Sequence, residues 1–379
     1  MSSCNSKLPN FEFDRARIHE ALKDNRLVSI EIEFSRRCNF KCAYCYIRSK
    51  DVCTDEMTRN EIRGVIVQAQ ELGARKIIVL GGEPMIYPAI FEMLEFIGER
   101  GMEAEIFTNG YNVTAENARR LFELDVNVAL KMNSFDKKLQ DKLTGVPGSY
   151  EIIQSALANL TSSGYPSERP FLAVSTIICK QNISQMTRLW QWLRDRKILP
   201  YLEMITPQGN AGDNQWLYPD PRELQELFDE IARIDREEYG QTWDPQPPLV
   251  GNVCLRHSFS CLVSANGNVM PCVGVAIAVG NIRENSLTSI IQNSEVIQNL
   301  RNHGHTIKGP CAACDKSDDC YGCRGAAYNM TGDYLASDPM CWRNAGKARE
   351  NGFSARIRGD TSPPQRQHAT PRCPELERR

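Results

Sequence analysis

Between residues 27 and 206 the chain carries six short apolar runs separated by longer stretches whose apolar residues recur at helical spacing. Few architectures accept that alternation. Strands joined by a helix rather than a tight turn pair in parallel, so the pattern predicts an α/β fold built on a parallel sheet. The expected strands are 27–35, 76–80, 104–107, 126–132, 171–178 and 201–205. Ile62, Val65, Ile66, Ala69 and Leu72 mark the first helix, which Gly73 stops. Periodicity leaves two shapes open, a flat sheet or one curled into a partial barrel. In both, ligands gather at the carboxyl ends of the strands.

The chain has 379 residues and 15 cysteines, most of them in two zones, 38–53 and 254–341. The opening MSSCNSKLPN has no basic and apolar signal pattern, and the longest apolar runs, such as 77–80 and 273–279, are too short to span a bilayer. A cytoplasmic protein is expected, and there thiols serve metals or catalysis more often than disulfides. With 45 Lys and Arg against 47 Asp and Glu, the net charge of −2 offers no general attraction to nucleic acid or anionic lipid. No nucleic-acid or membrane partner is expected.

In the first zone Cys38, Cys42 and Cys45 lie within eight residues, directly after the first strand. Three thiolates on one loop can each take one iron of a cubane cluster and leave the fourth iron open; a zinc site completed by a distant residue is the other reading. Position adds to spacing. Gly81-Gly82-Glu83-Pro84 follows the second strand at the same mouth of the sheet. The glycines permit close backbone approach to a ligand, and Glu83 can accept hydrogen bonds from an ammonium group.

These residues, with the aromatic Tyr44, resemble the radical S-adenosylmethionine (SAM) superfamily. The resemblance implies a six-stranded partial (β/α)6 barrel and a 4Fe–4S cluster whose open iron chelates SAM. It implies reductive cleavage of SAM to a 5′-deoxyadenosyl radical that abstracts a substrate hydrogen, with a reductant such as flavodoxin or ferredoxin as partner. By the same likeness Gly81, Gly82 and Glu83 hold the methionine amino end, the Tyr44 backbone touches adenine, and Thr108 and Asn109 line the site. One departure stands out: Lys131 and Asn133 occupy the fourth-strand positions where relatives often carry Ser and Asp. Lys131 is expected to pair with the SAM carboxylate or an acidic substrate group, or else to be a solvated strand-end lysine.

The second zone holds Cys254, Cys261, Cys272, Cys311, Cys314, Cys320, Cys323 and Cys341, enough thiols for two four-ligand sites, of zinc or of iron and sulfur. It is similar to a SPASM domain, which binds two auxiliary 4Fe–4S clusters. That likeness implies one set of Cys254, Cys261, Cys272 and Cys323 and another of Cys311, Cys314, Cys320 and Cys341. Only Tyr321 and Gly322 separate Cys320 from Cys323, where three residues are more usual.

The expected organisation is a lead-in over 1–26, the barrel over 27–206, a helical linker over 207–250, the auxiliary-cluster domain over 251–350 as a small irregular α+β unit, and a disordered tail over 351–379. Four thiols remain: Cys4, Cys53, Cys179 and Cys373. Cys179 closes the fifth strand at the mouth, where a thiol can return a hydrogen atom to a substrate radical, although buried cysteines are mostly packing residues. Glu203 near the end of the sixth strand is a further candidate contact. The expected substrate is a small biosynthetic molecule, whether tetrapyrrole, sugar or aminoglycoside, with a ribosomally made peptide as the alternative. An iron–sulfur electron carrier or a zinc-binding interaction protein is the reading from another class.

Overall fold

The structure, a computed structural model, describes residues 15–48 and 55–344. All six expected strands form: β1 (Ser29–Ser35), β2 (Lys76–Gly81), β3 (Glu103–Thr108), β4 (Asn127–Lys131), β5 (Leu172–Ile178) and β6 (Leu199–Met204). Each pairs with the next in parallel. Between them run α2 (Arg59–Glu71), α3 (Ile90–Glu99), α4 (Ala115–Glu123), α5 (Lys137–Thr144), α6 (Ser149–Ser162) and α7 (Met186–Asp195), with α1 (Arg15–Lys23) ahead of β1. Helix α2 shows why the sequence folds this way. Thr58 and Glu61 exchange side-chain and backbone hydrogen bonds as a capping box, which satisfies two amide groups that the first turn leaves open. Its Ile62, Val65 and Ile66 are then buried against Ile30, Ile32, Ile77 and Val79, at roughly 1.5–3 kcal/mol per side chain.

Strand alternation sends the other residues of β1, β3 and β6 inward. Glu31, Glu105, Phe107 and Tyr201 line one cavity, and the Phe107 and Tyr201 rings meet edge to face with their centroids 5.7 Å apart. In a flat sheet β1 and β6, five strand spacings apart, would be separated by roughly 24 Å. The sheet is therefore curled into a partial barrel, the second of the two expected shapes.

Three features add to the sequence reading. The sheet does not end with the barrel: β7 (Leu262–Val263) pairs in parallel with β1, and β8 (Asn268–Met270) and β9 (Gly280–Asn281) continue it antiparallel to nine strands. The segment expected as a helical linker packs against the core. It contains α8 (Gly209–Asp213) and α9 (Pro221–Glu238), and α9 buries Leu224, Leu227, Phe228 and Ile231 in the main core. Buried Asp235 accepts hydrogen bonds from Trp190, Arg194 and Trp243, which fastens α9 to α7. The lead-in contains α1, whose Ile18 and Ala21 pack on Val28 and Phe259.

The rest of the second zone is formed by α10 (Arg256–Phe259), α11 (Leu287–Asn293), α12 (Glu295–Arg301), α13 (His303–Thr306) and α14 (Arg324–Thr331). Cys4, Cys53, Cys373 and the expected disordered tail lie outside the described residues. Among the described residues, no helix is long and apolar enough to cross a membrane.

Candidate functional site

The loop carrying Cys38, Cys42 and Cys45 leaves β1 at the barrel mouth and is pinned from two sides. Lys41 and Ala43 donate their backbone N–H groups to the carbonyls of Thr144 and Leu143 at the end of α5. Opposite, Asn210 donates to the Cys45 carbonyl through its backbone and to the Cys42 carbonyl through its side chain, and Asn214 Nδ2 donates to the Ala43 carbonyl at 3.0 Å. Gly209 permits this contact, since a Cβ there would stand 2.3 Å from the Tyr46 carbonyl oxygen. Sequence reasoning placed these residues in the helical linker over 207–250 and gave them no role at the thiol loop.

Tyr46 donates to Glu33, which also accepts from Arg36 and from the backbone of Ala265 in the β7–β8 turn. The thiol loop is thereby tied to the second cysteine zone. Burial pushes the Cys38 thiol up to about 11 and the Cys42 thiol up to about 12. Without a cation these thiols are neutral, and a bound metal centre is what ionises such groups. Three sulfur donors on one loop, with no nitrogen or carboxylate ligand among them, fit an iron–sulfur cluster.

The run Gly81-Gly82-Glu83-Pro84 is stitched to the same loop. Gly82 and Glu83 donate their N–H groups to the carbonyls of Ser35 and Arg37, each at 2.8 Å. A Cβ at Gly81 would lie 2.2 Å from the Ser35 oxygen, and one at Gly82 would lie 1.9 Å from the Arg37 oxygen. The close approach that requires glycine is thus to the protein's own backbone. Glu83 is buried and accepts from Thr108 Oγ1 at 2.6 Å, Asn109 N at 2.6 Å and Met85 N at 2.9 Å. Burial nonetheless raises its carboxyl to about 7. A carboxylate has about four acceptor positions, so one remains for an incoming ammonium. Asn109 bonds Asn39 at 2.9 Å and reaches Cys38 Sγ at 3.8 Å, which joins the end of β3 to the thiol loop.

Asn133, fully buried, donates to the Tyr44 hydroxyl at 2.7 Å. Lys131 Nζ stands 5.8 Å from the Tyr44 ring centroid, donates to Ser175 at 2.9 Å and pairs with Glu203 at 3.8 Å. Two candidates taken separately from sequence thus form one pair inside the barrel, below the thiol loop. Burial lowers the Lys131 ammonium from its usual value, while Glu203, Cys42 and Cys45 act to raise it.

Beneath that pair lies a second, which sequence reasoning missed: Arg256 meets Glu31 at 3.1 Å and donates to the Tyr201 hydroxyl at 3.0 Å. They border a cavity of about 30 Å³, room for one water, into which the unpartnered Glu31 Oε2 and Glu105 Oε1 fit as acceptors. Cys179 is 1% exposed and packs with Leu143, Ile205, Ala211 and Leu217 against Ala43 and Tyr44. Burial pushes its thiol up to about 11.

In the second zone the structure brings together seven of the eight thiols in two groups. Cys311 and Cys314 act on Cys320, and Cys311 and Cys320 act on Cys341. Cys311 Sγ accepts from Asn344 at 3.2 Å and from Asp338 N at 3.4 Å, and Cys320 Sγ accepts from Gly322 N at 3.3 Å. Cys254 acts on both Cys272 and Cys323. Cys323 caps α14, its Sγ accepting from Ala326 N at 3.4 Å. Cys261 is not with them. It sits in the main apolar core, where Arg301 and Glu31 act on it. Among the described residues, no three Cys, His, Asp or Glu side chains close on one point as ligands of a single ion do.

A partial barrel with three thiols after its first strand and a cysteine-rich extension after its sixth defines an iron–sulfur protein of the α/β class. The radical SAM superfamily profile matches residues 32–193, and that of the SPASM iron-sulfur cluster-binding domain matches residues 254–315. The chain belongs to the radical SAM superfamily, with a C-terminal SPASM domain, and is an enzyme of that kind.

It is 26% identical over 341 residues to the AdoMet-dependent heme synthase of Methanosarcina barkeri, covering 83% of this chain and 96% of that one. It is 25% identical over 325 residues to the mycofactocin maturase MftC of Mycolicibacterium smegmatis, covering 82% and 81%. Its fold is similar to that of Streptococcus suis SuiB bound to precursor peptide SuiA, with a TM-score of 0.65, 17% identity, and coverage of 86% of this chain and 79% of that one.

Proposed function

We propose that the chain cleaves SAM reductively at the barrel mouth and abstracts a hydrogen from a small, anionic biosynthetic molecule of the tetrapyrrole kind. The observation that carries the first part is the convergence of Cys38, Cys42 and Cys45 with Glu83, Asn109 and Tyr44 at the ends of β1, β2 and β3. When bound there, a 4Fe–4S cluster supplies the electron that splits SAM into methionine and a 5′-deoxyadenosyl radical. The chain's own residues do the positioning. Glu83 takes the SAM ammonium on its remaining acceptor position, with Thr108 and Asn109 holding the carboxylate still. Asn133 holds the Tyr44 side chain in place beside Cys42.

Lys131 faces the same space and offers the cation for a substrate or SAM carboxylate, with Glu203 as its internal counterion. The seven grouped thiols of the second zone hold two auxiliary clusters, which makes three clusters per chain in all. Support for the tetrapyrrole reading comes from the heme synthase likeness, which spans 96% of that relative. Anaerobic reconstitution followed by dithionite and SAM is the test. Formation of 5′-deoxyadenosine, stimulated by an iron tetrapyrrole carboxylate, is the expected result. Absence of cleavage in a fully iron-loaded protein would refute the enzyme chemistry. Peptide maturation is the second reading, favoured by the likeness to MftC over 82% of this chain. Stimulation by a precursor peptide instead of the tetrapyrrole would select it.

A further inference from the structure

Strand register separates Cys261 from the other thiols. In the β1–β7 ladder Glu31 pairs with Leu262 and Ile32 with Val263, and Glu31 N donates to the Cys261 carbonyl at 2.9 Å. Paired residues on neighbouring strands point to the same face, and successive residues point to opposite faces. Glu31 faces the barrel cavity with Arg256 and Tyr201, so Leu262 shares that side. Cys261 and Val263 then share the opposite side with Ile30 and Ile32, and all four belong to the same apolar core.

The other three thiols are gathered on the barrel side. Arg256, at the cavity, is the cationic neighbour of both Cys254 and Cys272. Gly274 meets Gly325 so closely that a Cβ on Gly274 would stand 2.9 Å from the Gly325 Cα, which brings the Cys272 loop onto the first turn of α14 behind Cys323. Tyr321, two residues before Cys323, places its hydroxyl 3.9 Å from Cys254 Sγ. Thr206, just past β6, stands 3.8 Å from Cys323 Sγ.

We propose that Cys254, Cys272 and Cys323 are the complete thiolate set of the barrel-side auxiliary cluster, that Cys261 is a core-packing residue, and that the fourth iron takes an exchangeable anionic ligand beside Arg256. This rests on the reading that the second zone binds clusters. That reading fails by itself if wild-type protein loads only the first cluster. A shift of the fourth ligand to Cys261 would need that side chain to cross from the helix face of the sheet to the barrel face, a move the β1–β7 ladder forbids while it is intact.

The experiment uses the full chain, reconstituted anaerobically, with iron and sulfide assays and electron paramagnetic resonance of the reduced protein under saturating SAM. Cys261→Val, β-branched and without a ligating atom, should retain wild-type iron and sulfide and the wild-type signals. Cys254→Ala should lose about a third of the iron, one cubane of three. Cyanide, with the first cluster blocked by SAM, should shift one auxiliary signal in both wild type and Cys261→Val. A loss of iron in Cys261→Val matching that in Cys254→Ala overturns the ligand assignment, and Cys261→Ala repeats the test if the valine variant does not fold. An auxiliary spectrum indifferent to cyanide overturns the exchangeable position.

Discussion

Replacing Glu83 by glutamine tests the SAM site at its most constrained residue. The carboxyl is 2% exposed, accepts three hydrogen bonds, and is still raised by burial from 4.5 to about 7. That difference corresponds to about 3 kcal/mol against the ionised form in the absence of ligand. The folded chain holds a proton there that the unfolded chain releases above 4.5, so stability from this group is full below that value and lost as pH rises through about 7. An ammonium on the free acceptor position reverses the preference, because it favours the carboxylate. SAM binding must then expel the proton below pH 7. Apparent affinity should fall about fivefold between pH 7 and pH 6, where an amino group with an ordinary pKa near 7.7–8.0 stays charged. Anaerobic titration calorimetry on the cluster-loaded protein, run in two buffers of different ionisation enthalpy, reads both the affinity and the released proton. Glu83→Gln should bind SAM more weakly and lose the acid limb. A wild-type affinity flat between pH 6 and 7, or an equal slope in the variant, would refute the assignment of Glu83 to the ammonium.

Four further outcomes follow from the geometry. Asp235→Ala removes the acceptor of Trp190, Arg194 and Trp243 and leaves the fully buried Trp190 N–H and a part-buried guanidinium unpaired, so it should cost about 3 kcal/mol in denaturant unfolding. Gly82→Ala drives a methyl to 1.9 Å from the Arg37 oxygen and should abolish loading of the first cluster, read as iron lost with the circular dichroism kept. Lys131→Met should leave basal 5′-deoxyadenosine formation near wild type while raising substrate KM at least tenfold, and an unchanged KM counts against a substrate contact. Cys179→Ala should leave turnover and product stereochemistry unchanged, because the thiol lies in an apolar cluster, whereas a change of stereochemistry would make it the hydrogen donor.

The strands, most helices and the first thiol loop were legible because their signals are local. An apolar run such as 76–80 needs only its own residues to announce a strand buried on both faces, and Cys38, Cys42 and Cys45 carry their chemistry within one turn of chain. The Lys131 and Glu203 positions were visible singly. Their pairing was not, since it depends on how far the sheet curls between β4 and β6. The asparagine clamp of 210 and 214 was hidden for the same reason: it acts on residues about 170 positions earlier, at separations of 168 and 171.

Residue order is enough to specify a parallel α/β chain with a three-thiol loop at the strand ends and a second store of thiols beyond. Spacing within a few residues and apolar periodicity are enough for that. Which thiols share a neighbourhood depends on how the chain packs. Eight cysteines between 254 and 341 look equivalent along the chain, yet the pairing of β7 with β1 turns Cys261 into the core and leaves its neighbours on the barrel side. A one-residue step in a strand reverses the face a side chain meets, and the partner that sets the register lies some 230 residues away, as Glu31 and Leu262 show.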